Sequence, residues 1–119
     1  MAIDPENGEI AVNEILEDGQ HILFAYRDDE TVRADLSASL VSLRDRVIRQ
    51  TGDFKPKAAL YVSCVARASV DFAGDGTQGG EMGLIKEILG DIPMAGFYAS
   101  AEISAGRLYG YTGVLTLFL

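Results

Sequence analysis

Two charged side chains stand where apolar runs end, and together they could hold a small zwitterion. Arg67 follows the run Ala58 to Val65 (AALYVSCV), and Glu102 follows the run from Pro93 to Ser100. If both runs are strands and lie parallel as neighbours, both charges arrive at one rim of a sheet, where α/β proteins collect ligands. A guanidinium takes a carboxylate through paired hydrogen bonds, and a carboxylate takes an ammonium. Tyr98, Tyr109 and Tyr111 are close in sequence and would wall such a site. The same two charges could instead close the sheet end as a structural Arg67–Glu102 ion pair. Ligand affinity that survives both Arg67→Ala and Glu102→Ala would rule out the ligand-site assignment.

Other chemistry is weaker on its spacing. Gly74-Asp75-Gly76-Thr77-Gln78-Gly79 matches G-x-G-x-x-G, but eight residues separate Val65 from Gly74. A dinucleotide site needs the glycines directly after the strand, and Asp75 would set a negative charge against the phosphates. The segment reads as a surface loop. His21 is the only histidine and Cys64 the only cysteine. A Cys–His nucleophile would have to use both, and His21 could be an axial haem ligand. A thiol inside an apolar strand is inert packing, and a strand histidine is more ordinarily half-buried or at an edge. One thiol and one imidazole do not make a zinc site. No metal or cofactor is expected, and the chain is expected not to be an enzyme.

The elements that must carry Arg67 and Glu102 follow from periodicity. Glu9–Leu16 and His21–Arg27 (HILFAYR) read as a hairpin turning at Gly19, the second strand buried on much of both faces. Asp28-Asp29-Glu30 then supplies acids for a helix start. Val32, Leu36, Leu40, Leu43 and Val47 form one apolar stripe of a helix that ends at Gly52. Ala58–Val65 is a central strand, and Met82, Ile85, Ile88 and Leu89 mark a shorter helix stopped by Gly90. Pro93–Ser100 is the next strand, Ala105-Gly106-Arg107 a turn, and Tyr109–Leu119 a last strand. The order β-β-α-β-α-β-β predicts an α/β (mixed α+β) domain. Two helices pack on a mixed sheet, and a hairpin at each end adds antiparallel edges.

The 119 residues suffice for one domain, 1–119, with a continuous core. A net charge of −8 and a pI near 4.4 repel phosphate backbones and anionic headgroups, so neither nucleic acid nor a membrane surface is an expected partner. A lone cysteine, no signal-peptide pattern and no long apolar run point to the cytoplasm.

The motifs along the chain resemble the C-terminal domain of FIST (F-box and intracellular signal transduction) proteins. The blocks that carry the resemblance are Gly19 to Arg27-Asp28 and Ala34-Asp35-Leu36. Then come Cys64-Val65-Ala66-Arg67, Ile92-Pro93-Met94-Ala95-Gly96-Phe97-Tyr98, Glu102-Ile103 and Tyr111-Thr112. They are similar in order to the family's C-x-G-R-G, V/I-P-x-x-G-F-F, G-E-I-G and h-x-T segments. Ala66, Ala68, Ala101 and Ser104 replace glycines around Arg67 and Glu102, so any contact that needs bare backbone there is put in question. The resemblance implies a sensory domain of bacterial-type signalling proteins, with an amino acid as the usual ligand suggestion and haem or nitric oxide sensing in some members. It also implies an N-terminal FIST domain, in the same or a companion chain, as partner. The competing expectation is an interaction module without a small ligand, whose exposed apolar faces dock an N-terminal domain or a second copy of the chain as a homodimer.

Overall fold

The computed structural model describes residues 2–12, 15–76 and 80–119. Helix α1 spans Asp29–Thr51 because both its ends are stopped chemically. The Asp28 carboxylate accepts the Thr31 amide at 2.7 Å and the Thr31 hydroxyl at 2.9 Å, and these bonds hold its carboxyl below the usual range. At the other end Gly52 takes φ 85° and donates to the Ile48 carbonyl. The stripe behaves as expected. Leu40 and Val47 are buried, and Val32, Leu36 and Leu43 are half-buried.

Strand β3 (Ala58–Cys64) is central, with β4 (Met94–Ala99) parallel on one side and β7 (Gly113–Phe118) antiparallel on the other. Helix α2 (Glu81–Leu89) links β3 to β4 in a βαβ unit. Ala59, Tyr61, Leu40, Ile85, Leu89 and Ile92 form the main core between the sheet and the two helices, and Val70, Phe72 and Leu84 form a second cluster beside it. The opposite sheet face stays uncovered: Leu60, Phe97, Val114 and Phe118 are all exposed there.

The α+β class and the alternation of elements agree with the sequence, but both hairpins differ from expectation. The N-terminal hairpin is β1 (Ala2–Asp4) with β2 (Glu9–Ala11), turning at residues 5–8. Asn13 and Glu14, inside the expected strand Glu9–Leu16, lie outside the described residues. His21–Arg27 is not a strand, and every residue of it is exposed. Apolar content alone cannot make a strand without a partner for its backbone groups. At the C-terminal end the expected strand Tyr109–Leu119 divides. Arg107–Tyr109 (β6) pairs with Glu102–Ser104 (β5) through the positive-φ pair Ala105-Gly106, and β7 begins only at Gly113. Neither hairpin joins the three-stranded sheet, so they do not supply its edges.

Candidate functional site

The C-terminal end of β3 carries the most deeply buried polar side chains among the described residues. Tyr61 and Ser63 alternate along β3, so both point toward the helices. Arg67 follows on a single 3₁₀ turn, Val65–Arg67, and Glu81 is the first residue of α2. All four are buried. Glu81 Oε1 accepts from the Tyr61 hydroxyl at 2.6 Å, from Arg67 Nε at 2.8 Å and from Arg67 Nη2 at 2.5 Å. Its other oxygen accepts from the Ser63 hydroxyl at 2.8 Å. The guanidinium also lies over the Phe72 ring, 5.0 Å from its centre. Arg67 therefore pairs with Glu81, not with Glu102.

Two glycines make room for Tyr61. A methyl group on Gly96 would come 2.0 Å from the Tyr61 carbonyl oxygen, and one on Gly113 would come 2.2 Å from the Tyr61 hydroxyl. Burial first, and then the bond to Glu81 and its charge, push the Tyr61 hydroxyl far above its ordinary value. The native state thus favours the protonated phenol. Its contribution is fully present below about pH 10, the ordinary tyrosine value, and is lost as pH rises beyond it. Tyr61→Phe should cost about 1–3 kcal/mol at neutral pH, because Glu81 loses a buried donor. The gap to wild type should narrow above about pH 10, read from urea midpoints at successive pH values. A gap that stays constant to pH 11 would mean that Tyr61 does not carry this dependence.

Two clefts flank the network and share Tyr61 as a wall. One, about 210 Å³, lies between α1 and the start of β7, lined by Asp35, Ser39, Arg67, Tyr111 and Thr112 among others. The other, about 180 Å³, lies beside β4, lined by Ser63, Glu81, Met82, Phe97 and Tyr98 among others. Arg67 has five N–H donors. Nε and one Nη2 hydrogen go to Glu81, and Nη1 reaches the Tyr111 carbonyl only at 3.5 Å. The other two N–H groups have no hydrogen-bond partner among the described residues, and Arg67 lines the first cleft.

The residues expected from sequence are thus partly gathered. Arg67 and Tyr111 line the first cleft, and Tyr98 lines the second. Glu102 lines neither cleft: one carboxylate oxygen accepts from the Thr112 hydroxyl, and the other is buried with no partner among the described residues. Arg67 and Glu102 consequently bond to consecutive residues, Tyr111 and Thr112. Tyr109 pairs with Glu102 across β5–β6 and lines neither cleft. Sequence reasoning missed Glu81, Asp35, Tyr61 and Ser63 as site residues.

Cys64 is buried and its thiol donates to the Ser100 carbonyl, in keeping with packing. His21 is exposed on the irregular segment before α1. Of the glycine loop, Thr77, Gln78 and Gly79 lie outside the described residues. The described part is braced by the Asp71 carboxylate, which accepts from the amides of Gly74 and Gly76. Among the described residues no group of three or more His, Cys, Asp and Glu side chains is gathered for a metal, and no helix is long and apolar enough to cross a membrane.

The family model for the FIST C domain matches residues 1–105. An uncharacterized protein of Mycobacterium bovis is 31% identical over 123 residues, which take in 100% of this chain and 30% of that protein. An uncharacterized protein of Mycobacterium tuberculosis is 31% identical over 125 residues, again 100% of this chain and 30% of its own length. The chain therefore spans about 30% of the length of the curated relatives it matches. No solved structure matches it.

Proposed function

The chain belongs to the FIST C domain family, which is associated with signal transduction, and from that premise we propose that it is a cytoplasmic, non-enzymatic sensory domain that binds a small zwitterion such as an amino acid. The carrying observation is the cleft between α1 and β7, where Arg67, with donors to spare, shares a wall with the carboxylate-bearing Asp35. In this reading Arg67 takes the ligand carboxylate and Asp35 takes its ammonium. Ser39 and Thr112 offer hydroxyls, and Tyr111 provides an aromatic side. Glu102 acts through Thr112, whose hydroxyl it orients. Tyr98 lies at the second cleft, across the Arg67–Glu81 pair. A volume of about 210 Å³ suits a ligand smaller than the drug-sized occupants of ~300–1,000 Å³ sites.

Calorimetric titration with α-amino acids, the matching amines lacking the carboxylate and the matching acids lacking the ammonium tests the reading. Binding of the amino acid, weakened at least tenfold when either charge is removed from the ligand or in Asp35→Asn, is the expected result. Equal binding of the amine, or no binding across the panel, would contradict it.

A second reading rests on the uncovered sheet face. Phe97 is 62% exposed and Phe118 is 52% exposed, on strands that bear no charge. Such a face suits docking of an N-terminal FIST domain from the same or a companion chain, or of a second copy. That partner would supply the output of the sensor, while nucleic acid and membranes have no place in either reading.

A further inference from the structure

We propose that His21–Arg27, irregular and exposed as described above, docks as a fourth strand, antiparallel on the free edge of β7, and that it then supplies an outer wall of the Arg67 cleft. The strand placement stands on the fold alone, whereas the wall rests on the ligand reading above.

The segment is a strand sequence without a strand's surroundings. Ile22 is 60% exposed, Leu23 90%, Phe24 76% and Tyr26 87%. Phe and Tyr side chains ordinarily bury about 150–250 Å² each, so this exposure is costly. The molecule is extended to match: its radius of gyration is 17.9 Å, against about 13.5 Å for a compact domain of this length.

The same chain holds a matching vacancy. The Cys64 amide donates to the Thr112 carbonyl, which fixes the phase of the β3–β7 ladder. Alternation then turns the backbone groups of Val114 and Thr116 toward β3 and those of Gly113, Leu115 and Leu117 outward. Among the described residues no strand pairs with that outer edge. Gly113–Phe118 contains no charge and no proline, the usual guards of an edge strand.

Direction and reach follow from one contact. The Arg27 guanidinium lies 4.2 Å from the centre of the Tyr111 ring, and Tyr111 stands two residues before β7. The C-terminal end of the segment is therefore already held at the N-terminal end of β7. Going back from Arg27 to His21 then means going forward along β7, an antiparallel pairing of seven residues against six. Asp28 follows at once and caps α1, so the linkage to the helix needs no rearrangement. Ile22, Phe24 and Tyr26 share one face of such a strand, and this set is suited to cover the flank of α1. That flank carries Asp35 and Ser39, which line the cleft with Tyr111 to Gly113.

Residue-resolved hydrogen exchange by NMR, without ligand, tests the strand. The Leu115 and Leu117 amides should exchange at least about 100-fold more slowly than in a free chain, together with alternate amides of residues 21–27. Val114 and Thr116, bonded to β3 in either case, report that the sheet is folded. Phe24→Pro removes a donor and the strand geometry, so it should return Leu115 and Leu117 to fast exchange and leave Val114 and Thr116 slow. Fast exchange of Leu115 and Leu117 in the wild type, or no effect of Phe24→Pro, would overturn the proposal. So would protection that grows with protein concentration alongside a dimer mass in light scattering, because the strand would then belong to a second copy. Protected amides in a protein that binds no amino acid would leave the strand standing and remove only the wall.

Discussion

Replacing Glu81 by alanine should destabilise the domain by about 3–5 kcal/mol, a large share of the ~5–15 kcal/mol that a domain of this kind possesses. The magnitude follows from what is left behind. Arg67 would keep its charge in a buried position after losing two hydrogen bonds, and the hydroxyls of Tyr61 and Ser63 would lose their acceptor. Breaking one side of a buried pair costs far more than the pair contributes, because a desolvated charge remains. The double variant Arg67→Met with Glu81→Leu removes both charges and should recover at least half of the loss. Chemical denaturation of the three proteins gives the comparison. A loss below about 1 kcal/mol in Glu81→Ala would show that the network is solvated, not buried.

Gly96→Ala should be comparably severe for a different reason. Its new methyl group would meet the Tyr61 carbonyl oxygen at 2.0 Å, and that atom is strand backbone, which cannot rotate away. Overpacking usually costs about 1–3 kcal/mol, and a backbone clash inside the β3–β4 ladder belongs at or above the upper end. Gly83→Ala is the control with the opposite sign. Nothing lies within 4 Å of its added carbon in α2, so it should stabilise the protein by about 0.5–1 kcal/mol. Melting temperatures that fall equally in both variants would mean that β3 and β4 do not pair as described.

The elements with strong local signals are legible in the sequence. The spacing from Val32 to Val47 with Asp28 and Gly52 at its ends specified α1, and Gly90 specified the end of α2. The position of Arg67 just past β3 was also readable, because it needed only the end of an apolar run. Its partner was not. Glu81 stands in the first turn of a helix, where an acid ordinarily favours the dipole from an exposed position, and its inward turn depends on residues 14 to 20 positions away. A signal did exist in β3 itself: Tyr61 and Ser63 alternate within AALYVSC, so two polar groups share the buried face and require a polar partner there. Asp35 was visible only as part of the family resemblance, since its role depends on how α1 lies beside β7. His21–Arg27 has the composition of a strand, and whether it pairs is decided by a neighbour that composition does not name.

An NMR titration of the isotopically labelled chain with the tightest-binding amino acid tests the central claim most directly. Shifts confined to Asp35, Ser39, Arg67, Tyr111, Thr112 and Gly113, with the Arg67 side-chain N–H signal moving among them, are the predicted result. Saturable shifts centred on Phe97 and Tyr98, or no saturable shift with Arg67 unmoved, would contradict the assignment of this cleft as the ligand site.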